Sequence, residues 1–139
     1  MYFGQGTICL AQLALFCGLT HTINCARQYV TMFGFDLETR TSWWRYALIY
    51  VVSVLGSGLL INFTGGRGIH AGASGAIWGL MTATLVYNLQ NLINPAYALR
   101  GIAINLIYSF SAGVSWQGHI GGGVAGLLAA LVVSDDRRL

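Results

Sequence analysis

Charge is scarce in this chain, and lysine is absent. Only 8% of the 139 residues are charged, and all seven basic residues are arginine. Soluble domains carry about 25% charged residues, so the deficit excludes an ordinary soluble domain. The net charge of +3 is spread along the chain and forms no basic patch for nucleic acid. With 55% hydrophobic residues, the composition predicts an integral membrane protein embedded in the lipid bilayer.

Cysteine motifs for metals or disulfides are also missing. The three cysteines, Cys9, Cys17 and Cys25, are eight residues apart in the first apolar segment. Successive cysteines therefore lie about 80° apart around a helix and share no stripe. An odd count without C-x-x-C argues against a disulfide framework and against zinc. We predict buried apolar cysteines, with no metal and no cofactor.

Apolar residues form five segments, each bounded by charge, glycine or the single proline. A transmembrane helix needs about 17–25 apolar residues. Charged residues fill the break after the first segment, and Pro95 suits the first turn of a following helix. The pattern predicts an all-α, multi-pass membrane protein, one domain over residues 1–139. Its segments are Gln5–Phe33, Trp44–Phe63, Ala73–Leu92, Tyr97–Ser111 and Gln117–Val133.

The arginines predict the orientation of these five spans. Arginine and lysine concentrate in the cytoplasmic loops of membrane proteins. Five spans leave Arg67 alone on one side and five arginines on the other, which should face the cytosol, or the matrix or stroma of an organelle. The sequence leaves open whether the membrane is a plasma membrane or an organellar inner membrane. The five are Arg40, Arg45, Arg100, Arg137 and Arg138.

Ser74 and His119 are predicted to lie at the same depth in the membrane. Each is near the start of its span, and both spans run in the same direction. Counted back from the arginine-rich ends of the spans, each residue lies about 23 Å above that side at 1.5 Å per residue. An ionisable residue inside a membrane indicates function, and a histidine can activate a serine nucleophile by accepting its proton.

Glycines on the third and fifth spans predict that these helices pack closely. Gly122 and Gly126 are four residues apart, and Gly72, Gly75 and Gly79 offer small surfaces on the third span. Small residues at this spacing let helix backbones approach in lipid. The packing would bring Ser74 near His119. Taken singly, each glycine, the serine and the histidine also fit a purely structural role.

The motifs around these residues closely resemble those of the rhomboid intramembrane proteases. The segment "GASGAIWGL" contains the family's Gly-x-Ser-Gly at Ser74, and "WQGHIGGGVAGLLAALV" contains its His-x-x-Gly-x-x-x-Gly at His119. A connecting stretch is also similar to the family's, at Gly34, Glu38, Arg45 and Tyr50. The resemblance covers roughly residues 15–134 and corresponds to the later core helices of a rhomboid-like bundle.

This resemblance implies a Ser–His dyad that cleaves transmembrane protein substrates. Ser74 would attack the peptide carbonyl, and His119 would take and return the proton. Trp78 stands where the family has an aromatic ring stacked on the catalytic histidine. Gly72, Gly75 and the Ser74 backbone N–H would support the oxyanion, since a helix N-terminus favours negative charge.

The chain departs from the family in its first span. Active rhomboids usually have His-x-x-x-Asn there, and both side chains support the oxyanion. An alignment without a gap from Gly34 puts Thr22 and Ala26 at these positions. His21 and Asn24 lie one and two residues out of register, which rotates them by about 100° and 200° around the helix. His21 is therefore a weaker candidate for oxyanion support.

Three functions remain open from the sequence. The first is the protease, which the dyad and both glycine motifs favour. The second is a weakly active or inactive rhomboid-like protein that acts as a scaffold or as a subunit of a larger membrane complex, which the altered first span favours. The third, a small-solute channel, rests only on scattered polar residues, each typical of an interhelical hydrogen bond. These are Gln12, Asn24, Asn62, Asn88 and Asn105.

Overall fold

The computed structural model of the protein describes residues 29–64, 74–110 and 115–134, and all regular structure in these ranges is helical. The predicted all-α fold class is confirmed there. A π-helical turn, Val30–Gly34, leads directly into the first of the described helices. The described helices are α1 (Phe35–Arg40), α2 (Trp43–Phe63), α3 (Ser74–Gln90), α4 (Ala96–Ser109) and α5 (Trp116–Ser134).

The last four predicted segments match α2 to α5, with ends that differ by at most two residues. Pro95 lies immediately before the first residue of α4, as the N-cap. Most of the first segment, Gln5–Phe33, lies outside the described residues, as do the three cysteines. The charged stretch that follows it differs from the expected loop, because it contains α1.

Local interactions explain why this charged stretch is helical. Asp36 and Arg40 form an i,i+4 ion pair at 2.7 Å, a spacing that stabilises helices by about 0.3–0.5 kcal/mol. The helix ends at Arg40, and the next residue, Thr41, has an extended backbone. The Thr41 hydroxyl donates a hydrogen bond to the Leu37 carbonyl at 2.7 Å. The Tyr87 hydroxyl donates to the Arg40 carbonyl at 3.0 Å, which ties the end of α1 to α3.

Helix α3 lies at the centre of the described bundle. Its buried residues occur all around the helix, and Leu80, Met81 and Ala83 have no exposed surface. A helix that is apolar on every side is typical of such a central position. Helices α2 and α5 pack against it and against each other, and α4 and the π-helical turn cover another part of its surface.

Small residues form the contacts among α2, α3 and α5. A Cβ atom on Gly75 or Gly79 would overlap the side chain of Ser57 or Ser53 on α2. Gly75 faces Gly122 and Gly79 faces Gly126, so α3 and α5 are parallel. On α2 the order is reversed, since Ser57 faces Gly75 and Ser53 faces Gly79, so α2 is antiparallel to both. The parallel arrangement puts the first turns of α3 and α5 at the same end of the bundle.

The outer surface of the bundle is apolar. Two described helices, Trp43–Phe63 and Trp116–Val133, are long and apolar enough to cross a membrane. Helices α3 and α4 are shorter, with 17 and 14 residues. Soluble proteins rarely expose large continuous apolar patches, so this surface suits lipid. Exposed large apolar side chains on α2 and α5 include Val51, Leu55, Leu59, Val124, Leu128 and Val132.

Candidate active site

Ser74 is the first residue of α3, and its side chain is exposed. The next residue, Gly75, is buried between α2 and α5. A Cβ atom on Gly75 would lie 3.1 Å from the carbonyl oxygen of Gly118, the residue before His119. The backbone neighbours of the predicted nucleophile and base therefore lie close together across the α3–α5 interface.

His119 lies in the first turns of α5, is 7% exposed, and packs against Trp78 of α3. The two rings are stacked, with centroids 5.5 Å apart and planes inclined by 19°. Ser74 and Trp78 are four residues apart and so lie on one face of α3. His119 thus packs on the α3 face that carries Ser74, one turn further along the helix.

The hydrogen bond of the His119 side chain goes to a residue that sequence reasoning did not select. His119 Nδ1 lies 2.5 Å from Ser109 Oγ, and Ser109 is the last residue of α4. No hydrogen bond joins His119 to Ser74 in the part of the chain that the structure describes. The structure therefore brings the predicted dyad onto facing surfaces without a direct bond between the two side chains.

Gly122 and Gly126 lie at the closest approach of α3 and α5. A Cβ atom on Gly122 would overlap the backbone of Gly75, and one on Gly126 would overlap the backbone of Gly79. The Thr82 hydroxyl also lies 2.8 Å from the Gly123 carbonyl oxygen on the facing helix. These contacts fix the relative register of α3 and α5, on which the positions of Ser74 and His119 depend.

Trp78 contributes a buried polar atom as well as a ring. The residue is only 6% exposed, and its Nε1–H is inaccessible and has no hydrogen-bond partner among the described residues. An unsatisfied buried donor costs about 1–3 kcal/mol. The indole is in direct contact with the candidate base.

Two of the predicted site residues, Gly72 and His21, lie outside the described residues. Within the described ranges, no three histidine, cysteine, aspartate or glutamate side chains are grouped as a metal site would require. Charge stabilisation at the described site would come from the helices. The N-terminal ends of α3 and α5 both lie here, and helix N-termini carry partial positive charge and free backbone N–H groups.

Ser109 was missed because nothing in its sequence context marks it. It is one of three serines within the ten residues before His119, and it stands between Tyr108 and Phe110. Its partner Asn105 was predicted to bond between helices. That prediction is confirmed, because the Asn105 amide donates a hydrogen bond to Met81 Sδ on α3 at 3.7 Å. The same amide also donates to the Gly101 carbonyl in its own helix at 2.9 Å.

Comparison with known proteins gives one consistent family. The family model for the rhomboid domain matches residues 7–136. The chain is 33% identical to RHOMBOID-like protein 2 of Arabidopsis thaliana over 136 residues, which cover 93% of this chain and 43% of that protein. It is 32% identical to Rhomboid-type serine protease 2 of Emericella nidulans over 108 residues, covering 72% of this chain and 22% of that one.

A further similar protein has a name that states its compartment. RHOMBOID-like protein 6, mitochondrial, from Arabidopsis thaliana is 34% identical over 111 residues, 75% of this chain and 36% of that protein. The chain thus spans less than half the length of each of these three relatives. No solved structure gives a significant match.

Proposed function

The chain belongs to the rhomboid family and is an integral membrane protein, and we propose that it is an intramembrane serine protease. Its substrates would be transmembrane proteins, cut near the arginine-poor face of the bilayer. The observation that carries the proposal is the close approach of Gly75 to Gly118, where a Cβ atom on Gly75 would lie 3.1 Å from the Gly118 carbonyl oxygen. It supports a site in which the adjacent residues, Ser74 and His119, act on one substrate.

In the proposed reaction, the Ser74 hydroxyl oxygen attacks the carbonyl carbon of the scissile peptide. The serine proton passes to the His119 imidazole, and the carbonyl oxygen becomes an oxyanion near the N-terminus of α3. Collapse of this intermediate breaks the C–N bond, and His119 gives its proton to the leaving amine. Water then attacks the acyl-serine ester, loses a proton to His119, and releases the new carboxyl end and Ser74.

Their different exposure suits Ser74 to the role of nucleophile and His119 to that of base. Ser74 is exposed at a helix end, where a substrate backbone can reach it. His119 is buried against the Trp78 ring, which restricts its orientation. A base held in one orientation accelerates proton transfer, and general-base catalysis contributes about 10²–10⁴-fold.

The proposal is tested by cleavage of a single-span reporter protein in liposomes that contain the purified chain. We expect the wild type to cut the reporter, Ser74→Ala to remove the activity, and His119→Ala to lower it by about 10²–10⁴-fold. Thr64→Ala is the matched control, because Thr64 is exposed at the end of α2. Cleavage that survives Ser74→Ala would contradict the assignment of the nucleophile.

One observation favours a second function, that of a non-catalytic rhomboid-like scaffold or subunit. In the described residues His119 bonds to Ser109 and not to Ser74, as would be expected if the histidine served only to join α4 to α5. This function predicts that the native protein migrates as part of a larger membrane complex after mild solubilisation. It also predicts that His119→Ala weakens the complex while no reporter is cut by any form.

A further inference from the structure

Ser109 and His119 join the C-terminal end of α4 to the first turns of α5. Ser109 is 3% exposed and His119 is 7% exposed, so water has little access to the contact between them. The atoms in contact are Ser109 Oγ and His119 Nδ1, 2.5 Å apart. Two polar atoms this close must have a hydrogen between them, which either the hydroxyl or the ring donates.

The hydrogen between Ser109 and His119 comes from the imidazole ring. A serine hydroxyl has one proton to donate and lone pairs to accept with. Ser109 Oγ lies 2.8 Å from the Asn105 carbonyl oxygen, one turn earlier in α4, and donates its proton there. The proton between Ser109 and His119 must then come from the ring. The resulting chain runs from Nδ1–H to Oγ, and from Oγ–H to the Asn105 carbonyl.

This arrangement selects one tautomer of His119. A neutral imidazole has a single N–H, so a proton on Nδ1 leaves Nε2 as the unprotonated nitrogen. The stacked Trp78 ring restricts the plane of the imidazole. We propose that Ser109 is a positioning residue that holds His119 in its Nδ1–H tautomer, with Nε2 as the atom that accepts the Ser74 proton. The role of Nε2 as the base for Ser74 rests on the proposed function, whereas the tautomer of His119 does not depend on it.

The role resembles that of the aspartate in a soluble Ser-His-Asp triad, which receives the Nδ1–H of the base and fixes its tautomer. An aspartate in a membrane span is costly because a charge loses its hydration. The Ser109 hydroxyl is neutral, and its own proton is satisfied by a backbone carbonyl. It can therefore fix the tautomer without placing a charge in the lipid.

Ser109 itself is poorly suited to be the nucleophile. It is buried at 3% exposure, whereas Ser74 is exposed. Its proton is donated to Asn105, so His119 cannot remove that proton without breaking the bond to the carbonyl. These facts assign Ser109 to orientation and leave attack on the substrate to Ser74.

The tautomer is measured by nitrogen NMR of the protein labelled with ¹⁵N-histidine and reconstituted in lipid. The His119 signals are identified by their loss in His119→Gln. We expect Nδ1 to carry the proton in the wild type, and the Nε2–H form to increase in Ser109→Ala. Ser109→Thr, which keeps the hydroxyl, should restore the wild-type spectrum. Ser53→Ala is the matched control, since the buried Ser53 hydroxyl bonds only to a carbonyl of its own helix.

An Nε2–H tautomer in the wild type would overturn the inference, and so would an unchanged spectrum in Ser109→Ala. If Ser109→Ala does not fold, the wild-type tautomer and the Ser109→Thr spectrum decide the question. In the cleavage assay we expect Ser109→Ala to lower kcat by about 10–100-fold, the range found when the partner of a metal-bound histidine is removed. KM should stay unchanged, and Ser109→Thr should recover kcat.

The two proposals fail in different ways. A wild type with the Nδ1–H tautomer but no cleavage would contradict the protease and support the role of Ser109 as the group that orients His119. A wild type that cleaves the reporter with an Nε2–H tautomer would support the protease and overturn the assignment of Ser109.

Discussion

His119 is held on two sides by residues of different helices. Trp78 of α3 stacks on the ring, and Ser109 of α4 bonds to Nδ1. A stacked aromatic pair contributes about 0.5–1.5 kcal/mol beyond its buried area. The orientation of the candidate base therefore depends on three helices at once, and we expect a substitution at either contact to disturb it.

The stacking contact predicts different effects for two substitutions of Trp78. Trp78→Ala removes the ring and leaves a cavity, and loss of a buried large aromatic costs about 3–5 kcal/mol. Trp78→Phe keeps a ring beside His119 and removes an Nε1–H that has no partner among the described residues. We therefore expect it to lower the stability much less than Trp78→Ala does. Thermal unfolding in detergent measures both. Trp43→Ala, at an exposed position, should leave the midpoint temperature of unfolding unchanged. Equal losses for Trp78→Ala and Trp78→Phe would show that the stacked ring does not stabilise the site.

At the scale of helices, the interface between α3 and α5 depends on glycine at chosen positions. Gly122 and Gly123 are neighbours but differ in their surroundings. A Cβ atom on Gly122 would overlap the Gly75 backbone, whereas one on Gly123 would meet its nearest neighbour, an atom of Trp78, at an ordinary 3.5 Å. The two positions therefore offer a matched pair of substitutions.

We expect Gly122→Ala to lower the free energy of unfolding by about 1–3 kcal/mol, the usual cost of overpacking. Gly123→Ala should be neutral or stabilising, since alanine is favoured over glycine inside a helix by about 0.5–1 kcal/mol. The comparison is made by denaturation in detergent micelles. Equal destabilisation by both variants would mean that α3 and α5 do not meet at Gly122.

The extents of the helices could be predicted from sequence, and the contacts of His119 could not. Apolar runs bounded by glycine turns and Pro95 located α2 to α5, since each helix must satisfy its own backbone in lipid. The motif around Ser74 and the glycines after His119 also indicated which helices pack. The Ser109–His119 bond depends on the angle and register of α4 against α5, which no local pattern specifies. Helix α1 depends on an ion pair and a threonine at its end, in a stretch that reads as a charged loop.

At the scale of the whole molecule, the arginine distribution predicts how the bundle sits in the membrane. Thr39 lies in α1, just before the start of α2, and Thr64 follows the last residue of α2. Both positions are exposed, so cysteine substitutions there report on opposite ends of α2. In a background without the three native cysteines, a membrane-impermeant thiol reagent should label Thr39→Cys from the arginine-rich side only. It should label Thr64→Cys from the other side only. Labelling of both from one side would show that α2 does not cross the bilayer.

The central claim is that Ser74 becomes nucleophilic because His119 accepts its proton. The most direct test is reaction of the folded protein with a serine-directed phosphonate, followed by mass spectrometry of the modified peptide. We expect the adduct on Ser74 in the wild type, none in His119→Ala, and slower labelling in Ser109→Ala. An adduct on Ser109, or labelling of Ser74 that persists at the wild-type rate in His119→Ala, would contradict the claim.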